Sequence, residues 1–116
     1  MKILVIDPDA AELAVLTESL RTAYGEALIE PFRDPLMAVK YGANHPVDAV
    51  YTAANMRRLS GFELVKLLRN FNPGIASHFI VDTEAERTDA MRLMADSCIF
   101  RPVTADAIRR AAEEES

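Results

Sequence analysis

The chain has 116 residues, 50% of them hydrophobic, and a formal net charge of -5 at pH 7. This length favours one domain, residues 1–116, with a buried core, and the acidic balance argues against unspecific attraction to nucleic acid or to an anionic membrane. The apolar run that follows Met1 and Lys2 is too short for a signal peptide or a membrane span. The chain has a single cysteine, which excludes an internal disulfide. We therefore expect a cytoplasmic protein.

The first predicted unit is a strand followed by a helix. Residues 3–6 form an apolar run that predicts a buried strand ending at Asp7. Asp9 stands three residues before Glu12, and this spacing predicts a capping box at the start of a helix. Leucines recur at helical spacing behind it, and Gly25 marks the end of the helix.

The second unit is the least regular of the five. Residues 27–32 alternate weakly and contain Pro31, whose missing backbone donor suits an edge strand better than a central one. Asp34 followed by Pro35 then predicts the cap and first turn of a short helix that ends near Gly42.

The central unit contains the candidate site of the fold. Residues 49–54 carry no charge, as expected of a strand that is covered on both faces. Ser60 and Glu63 predict a second capping box, and apolar residues follow them at helical spacing. Ligands and chemistry in open α/β sheets lie at the carboxyl ends of strands, here at residues 52–54. Those three side chains neither ionise nor offer a strong nucleophile or metal ligand.

Two further strand-helix units complete the chain. Residues 77–81 predict a fourth strand, and Thr83 with Glu86 predicts a third capping box behind it. Residues 97–100 predict a fifth strand, and Thr104 can cap the last helix. Five such pairs without a hairpin signal predict an α/β fold, a parallel sheet with helices on both faces.

Three stretches, ILVIDPD, DAVYTAANMRRLSGFEL and DSCIFRPVTADAI, together resemble the receiver domain of two-component response regulators. The resemblance covers the whole chain, and the central stretch is most similar to receivers fused to LytTR-type DNA-binding domains. It implies a CheY-like, flavodoxin-like fold: a doubly wound sheet of five parallel strands in the order 2-1-3-4-5, flanked by five helices.

The resemblance also implies a phosphorylation site, from which this sequence departs. In receivers an aspartate at the end of strand three accepts the phosphoryl group, and two acids after strand one help to hold Mg²⁺. The acceptor position falls on Ala53, and the second acid falls on Pro8, which leaves Asp7 with Asp9 as a neighbour and the Asn55 carbonyl. We therefore expect no phosphoryl transfer, no metal and no other cofactor.

Three further positions of the family pattern are substituted. The switch hydroxyl falls on Asp82, the switch aromatic on Cys98 and the phosphate-contacting lysine on Arg101. We expect Arg101 to bridge Asp7 and Asp82 as an internal ion pair, because charges crowded together without a metal favour neutralisation. The alternative is a loose, solvated group of charges. We take Cys98 as a buried core residue.

The last two helices and the fifth strand form the usual dimer or partner surface of receivers. Here they combine charged with small apolar side chains, which fits a modest protein interface, although an ordinary solvated face is the alternative. The interface candidates are Arg87, Ala90, Met91, Met94, Arg109 and Arg110.

Other chemically active side chains receive structural interpretations. His45 and His78 have no spacing that makes a metal site with the acids. Arg57, Arg58 and Arg69 suggest an anion or partner patch, with a solvated loop as the default.

The sequence thus predicts a non-enzymatic signalling module that acts through protein contacts or dimerisation without phosphorylation. It would be the N-terminal part of a transcriptional regulator and would itself bind neither DNA nor membrane. One alternative is a receiver that still phosphorylates itself at Asp7, Asp9 or Asp82. Another is a module that binds a small molecule or anion at the sheet crevice.

Overall fold

Five strands and five helices alternate along residues 1–115, as the sequence predicts. We describe a computed structural model that covers residues 1–115, with side chains up to residue 114. The observed strands differ from the predicted ones by at most one residue at either end. The strands are β1 (Lys2–Ile6), β2 (Leu28–Phe32), β3 (Ala49–Ala53), β4 (Ala76–Val81) and β5 (Ser97–Phe100). The helices are α1 (Ala10–Ala23), α2 (Pro35–Asn44), α3 (Gly61–Phe71), α4 (Glu84–Arg92) and α5 (Ala105–Glu115).

All described strand pairs are parallel, and the strand order is β2-β1-β3-β4-β5. This is the doubly wound order that the family resemblance implies. Strand β2, with Pro31, lies at an edge, as predicted. The register places Ile6 beside Thr52 and Ala53 beside Ile80, so the ends of β1, β3 and β4 meet at one edge of the sheet.

Alternating side chains of the central strands fill two separate cores. Leu4 and Ile6 of β1 face the core under α2 and α3, whereas Ile3 and Val5 face the core under α1 and α5. Because the central strands are apolar on both faces, the sheet is stable only with helices on either side. Two layers of helices therefore cover the faces of the sheet, and the carboxyl ends of the strands remain accessible.

The predicted caps are present, but only one of the three capping boxes is complete. Ser60 and Glu63 exchange both bonds at the start of α3. At α1, Asp9 accepts from the Glu12 backbone N–H, yet the Glu12 carboxylate does not return to Asp9. The Asp9 N–H donates to Asp7 instead. The prediction of a full box was wrong here, because stronger partners for both groups lie nearby.

The box predicted at the start of α4 is also incomplete. Thr83 accepts from the Glu86 backbone N–H at 3.1 Å, as predicted. The Glu86 carboxylate, however, accepts from the backbone N–H of Asp82 at 2.7 Å. The acid thus caps the end of β4 rather than the N-cap residue itself.

Candidate functional site

The candidate site lies where β1, β3 and β4 end. Ala53 is the last residue of β3 and is only 2% exposed. The N-terminus of α3 covers it, since the Gly61 N–H donates to the Ala54 carbonyl at 2.9 Å. A Cβ on Gly61 would lie 2.3 Å from the Ala53 carbonyl oxygen, so α3 can pack this closely only because residue 61 is glycine. The side chain at the end of β3 is thus the methyl group of Ala53, buried under the N-terminus of α3.

Arg101 binds carboxylates from three elements at this edge. Its Nη2 atom lies 2.7 Å from Asp7 Oδ2, and its Nη1 atom lies 2.6 Å from Asp82 Oδ2. Its Nε atom lies 3.2 Å from Glu12 Oε2. The planar guanidinium donates along separate directions and so can serve three carboxylates at once. The predicted contacts of Arg101 with Asp7 and Asp82 are thus present, and Glu12 is an additional partner that sequence reasoning missed.

The surroundings of Arg101 strengthen these bonds. Its side chain is 22% exposed and that of Asp7 only 5%, so water screens the pair weakly. Burial by itself would lower the pKa of Arg101, but hydrogen bonds and charge interactions with Asp7 and Asp82 outweigh it and raise the pKa. The guanidinium is therefore permanently charged and locked onto Asp7.

The donor set at this edge does not fit Mg²⁺. Asp7 uses Oδ2 for Arg101 and Oδ1 for the N–H of Asp9 at 2.9 Å. Pro8 and Ala53 offer no side-chain oxygen, whereas Mg²⁺ requires oxygen ligands in near-octahedral order. Among the side chains of residues 1–114, no three of His, Cys, Asp or Glu are grouped so that they could hold a metal ion.

The comparison with known families decides the identity of the fold. A model of the response regulator receiver domain matches residues 3–113. The chain belongs to this family. As a receiver, it is a signalling module of two-component response regulators.

Individual relatives are distant. The virulence sensor protein BvgS of Bordetella pertussis is 27% identical over 123 residues, a match that covers 98% of this receiver and 10% of BvgS. The receiver thus spans about a tenth of the length of this curated relative.

Solved structures share the fold at low sequence identity. The chemotaxis protein CheY4 of Vibrio cholerae superposes with a TM-score of 0.82 at 15% identity, covering 99% of this receiver and 98% of that chain. A receiver domain protein from Clostridium thermocellum has a TM-score of 0.79 at 23% identity, covering 98% and 92% of the two chains. These likenesses show the fold alone.

The predicted partner surface needs two corrections. Ala90 lies on the inner side of α4, is fully buried in the core and contributes no surface. Arg109 pairs with Asp106 and also donates to the Thr22 carbonyl at 3.2 Å, so it lies on the side of α5 that faces α1. Helical spacing does not tell which side of a helix meets the neighbouring helix, and this information was missing from the sequence.

The remaining part of this surface is apolar and exposed. Met91 is 49% exposed, Met94 is 83% exposed in the loop behind α4, and Phe100 of β5 is 40% exposed. Cys98 is only partly buried, with its Sγ atom 3.9 Å from Met91 Sδ, so its prediction as a core residue was wrong in degree. Burial raises the pKa of the Cys98 thiol, and the charge of Arg87 partly opposes that shift.

His78 and Arg69 form contacts inside the fold. His78 is buried against the Tyr51 ring, with 4.2 Å between centroids, and its Nδ1 atom lies 2.6 Å from Ser97 Oγ. Burial lowers its pKa to about 4, against a smaller opposing effect of Asp96. Arg69 donates to the Leu93 carbonyl and to Ser77 Oγ. It therefore does not join Arg57 and Arg58, as the sequence had suggested.

The receiver also has no membrane-spanning candidate among its described helices, each of which is too short or too polar to cross a bilayer.

Proposed function

We propose that this receiver signals through protein contacts from a conformation that needs no aspartyl phosphorylation. The observation that carries the proposal is the pairing of Arg101 with Asp7 and Asp82 beside the methyl group of Ala53. The single positive charge of Arg101 lies between these carboxylates and offsets part of their mutual repulsion, so no metal ion is needed to hold them together.

The residues next to the strand end offer no replacement acceptor. Thr52 is fully buried, and its hydroxyl donates to the Ala53 carbonyl at 3.0 Å. Activation of a hydroxyl requires a general base within hydrogen-bond reach, and its nearest partner is a carbonyl oxygen. Asp7 and Asp82 are engaged by Arg101, which lowers the nucleophilic strength of both carboxylates.

The ion pairs also fix the loops around the site. Arg101 follows β5, Asp7 follows β1, Asp82 follows β4 and Glu12 lies in the first turn of α1. One side chain therefore ties four elements to each other. We infer that the receiver is held in one arrangement of its carboxyl edge, which its partner recognises directly.

The partner surface that we propose consists of Met91, Met94 and Phe100, with Arg87 and Arg110 at its rim. Exposed methionines adapt to varied apolar partners, and a charged rim orients the complex. A second copy of the chain is the first candidate partner. The sequence of the central stretch, DAVYTAANMRRLSGFEL, supports a role in a transcriptional regulator. In such a regulator, DNA contacts would belong to another domain.

The test of phosphorylation independence is incubation with acetyl phosphate and Mg²⁺, followed by intact mass measurement. A receiver that retains its acceptor aspartate serves as positive control in the same reaction. We expect this receiver to gain no phosphoryl group. An adduct that disappears in Asp7→Asn, Asp9→Asn or Asp82→Asn would establish the alternative, autophosphorylation at an unusual acid.

The test of the partner surface is light scattering over a range of concentrations. We expect self-association that Met91→Glu weakens at least tenfold and that Leu36→Glu, a change at an exposed residue of α2, leaves intact. A chain that stays monomeric throughout, or that responds equally to both variants, would contradict a homodimer through this surface.

A further inference from the structure

A cleft lies at the carboxyl edge, beside the Arg101 ion pairs. Its volume is about 570 Å³, and the loops behind β1, β2 and β3 line it. This volume is in the range of small-molecule sites. The cleft lies at the switch point of the sheet, where the chain continues from β1 to β2 on one side and then to β3 on the other. The lining includes the apolar side chains of Pro8, Pro35 and Met56.

Three arginines line the same cleft: Arg33, Arg57 and Arg58. Among the side chains of residues 1–114, no carboxylate lies within ion-pair distance of any of the three. Arg33 Nε donates to the Pro8 carbonyl at 3.0 Å, which holds this guanidinium across the opening. In a chain with a net charge of -5, three cations without a carboxylate partner thus meet at one concave surface.

The acids of the cleft are already engaged with the protein. Asp7 binds Arg101, Asp9 accepts the first N–H groups of α1, and Asp34 accepts the Leu36 N–H at the start of α2. Each of these acids thus already has an ion-pair or hydrogen-bond partner within the protein. The arginines are left to act on a ligand that enters from solvent.

We propose that this cleft binds a small organic anion, one that carries a phosphate or carboxylate group on an apolar body. Arg57 and Arg58, joined by Arg33, bind the anionic group, because guanidinium groups match both anions with paired hydrogen bonds. Pro8, Pro35 and Met56 contact the apolar body. The inference does not rest on phosphorylation independence, since the cleft would supply the receiver with a second kind of input.

The binding test is titration of the ¹⁵N-labelled chain with three probes: inorganic phosphate, adenosine 5′-monophosphate and citrate. We expect saturable shifts in the backbone signals of residues 8–9, 33–35 and 55–58. Stronger binding of the nucleotide indicates a phosphorylated ligand, and stronger binding of citrate indicates a carboxylate ligand. If none of the three probes saturates in the millimolar range, or if the shifts lie elsewhere, the proposal is overturned.

A charge-matched pair of variants tests the arginines. Arg57→Gln/Arg58→Gln should weaken binding of the better organic probe at least tenfold. Arg21→Gln/Arg92→Gln removes the same charge at exposed helix positions and should bind as the parent chain does. An equal loss of binding in both double variants would show nonspecific charge attraction and contradict a specific site at Arg57 and Arg58. Thermal unfolding of each variant verifies its fold. The acetyl phosphate experiment tests phosphorylation independence separately, so either proposal can fail without the other.

Discussion

At the scale of single residues, Arg101 has the greatest influence on the site. It forms an ion pair with Asp7, whose side chain is only 5% exposed, and it also contacts the more accessible acids Glu12 and Asp82. A buried carboxylate that loses its counter-ion keeps the full cost of desolvation. Removal of Arg101 is therefore expected to destabilise the fold, because Asp7 would stay buried without a cation.

We predict that Arg101→Met lowers the free energy of unfolding by about 2–4 kcal/mol, because Asp7 is left buried without a cation. Asp82→Asn removes a partner that is 52% exposed and should cost at most about 1 kcal/mol. Urea unfolding of both variants measures the difference. Equal stability of Arg101→Met and the parent chain would show a loose, solvated charge group in place of the ion pair.

The sequence predicted this ion pair only in part. The family alignment placed Asp7, Asp82 and Arg101 at the same sheet edge. Glu12 was assigned to a helix cap, because local spacing cannot show that a guanidinium from the far end of the chain competes with a backbone N–H. Arg33 was missed for the same reason, since its place beside Arg57 depends on the fold.

At the scale of elements, local patterns located every strand and helix, yet they did not show how closely the elements pack. The pattern SGFEL predicted the start of α3 from its capping box. It did not show that Gly61 lies against the Ala53 carbonyl oxygen, with no space for a Cβ. Close approaches of this kind arise only when a helix is placed on its sheet.

Gly61→Ala should therefore destabilise the receiver by about 1–3 kcal/mol, as expected when added atoms force the backbone apart. Gly74→Ala is the matched control, because a Cβ there meets no heavy atom within 4 Å. It should leave stability unchanged or raise it by up to about 1 kcal/mol. Thermal and urea unfolding compare the two; equal effects would mean that α3 can move away from β3 without cost.

At the scale of the whole molecule, strand order and the separation into two cores follow from residues that are far apart in sequence. Apolar runs without charge predicted a sheet covered on both faces, but the order 2-1-3-4-5 came from the family resemblance. The surroundings of His78 were also invisible in the sequence, since Tyr51 and Ser97 belong to the neighbouring strands.

His78 should make the stability of the fold depend on pH. Its pKa is about 4 in the folded chain and 6.5 ordinarily, so the unfolded chain binds a proton first as pH falls. Stability is thus complete above pH 6.5 and decreases towards pH 4, by about 2 kcal/mol between pH 7 and pH 5. Urea unfolding at several pH values measures this slope. His78→Gln should flatten it and His45→Gln should not; an unchanged slope in His78→Gln would assign the dependence to other groups.

The edge strand β2 has a consequence for solubility. The Leu28 N–H and the Phe32 carbonyl both bond towards the β1 side, to the Met1 carbonyl and the Asp7 N–H. Successive residues of a strand direct their backbone groups to opposite sides, so the nitrogen of Pro31 faces outwards. An incoming chain finds no hydrogen-bond donor at that point, and extension of the sheet from molecule to molecule is interrupted there.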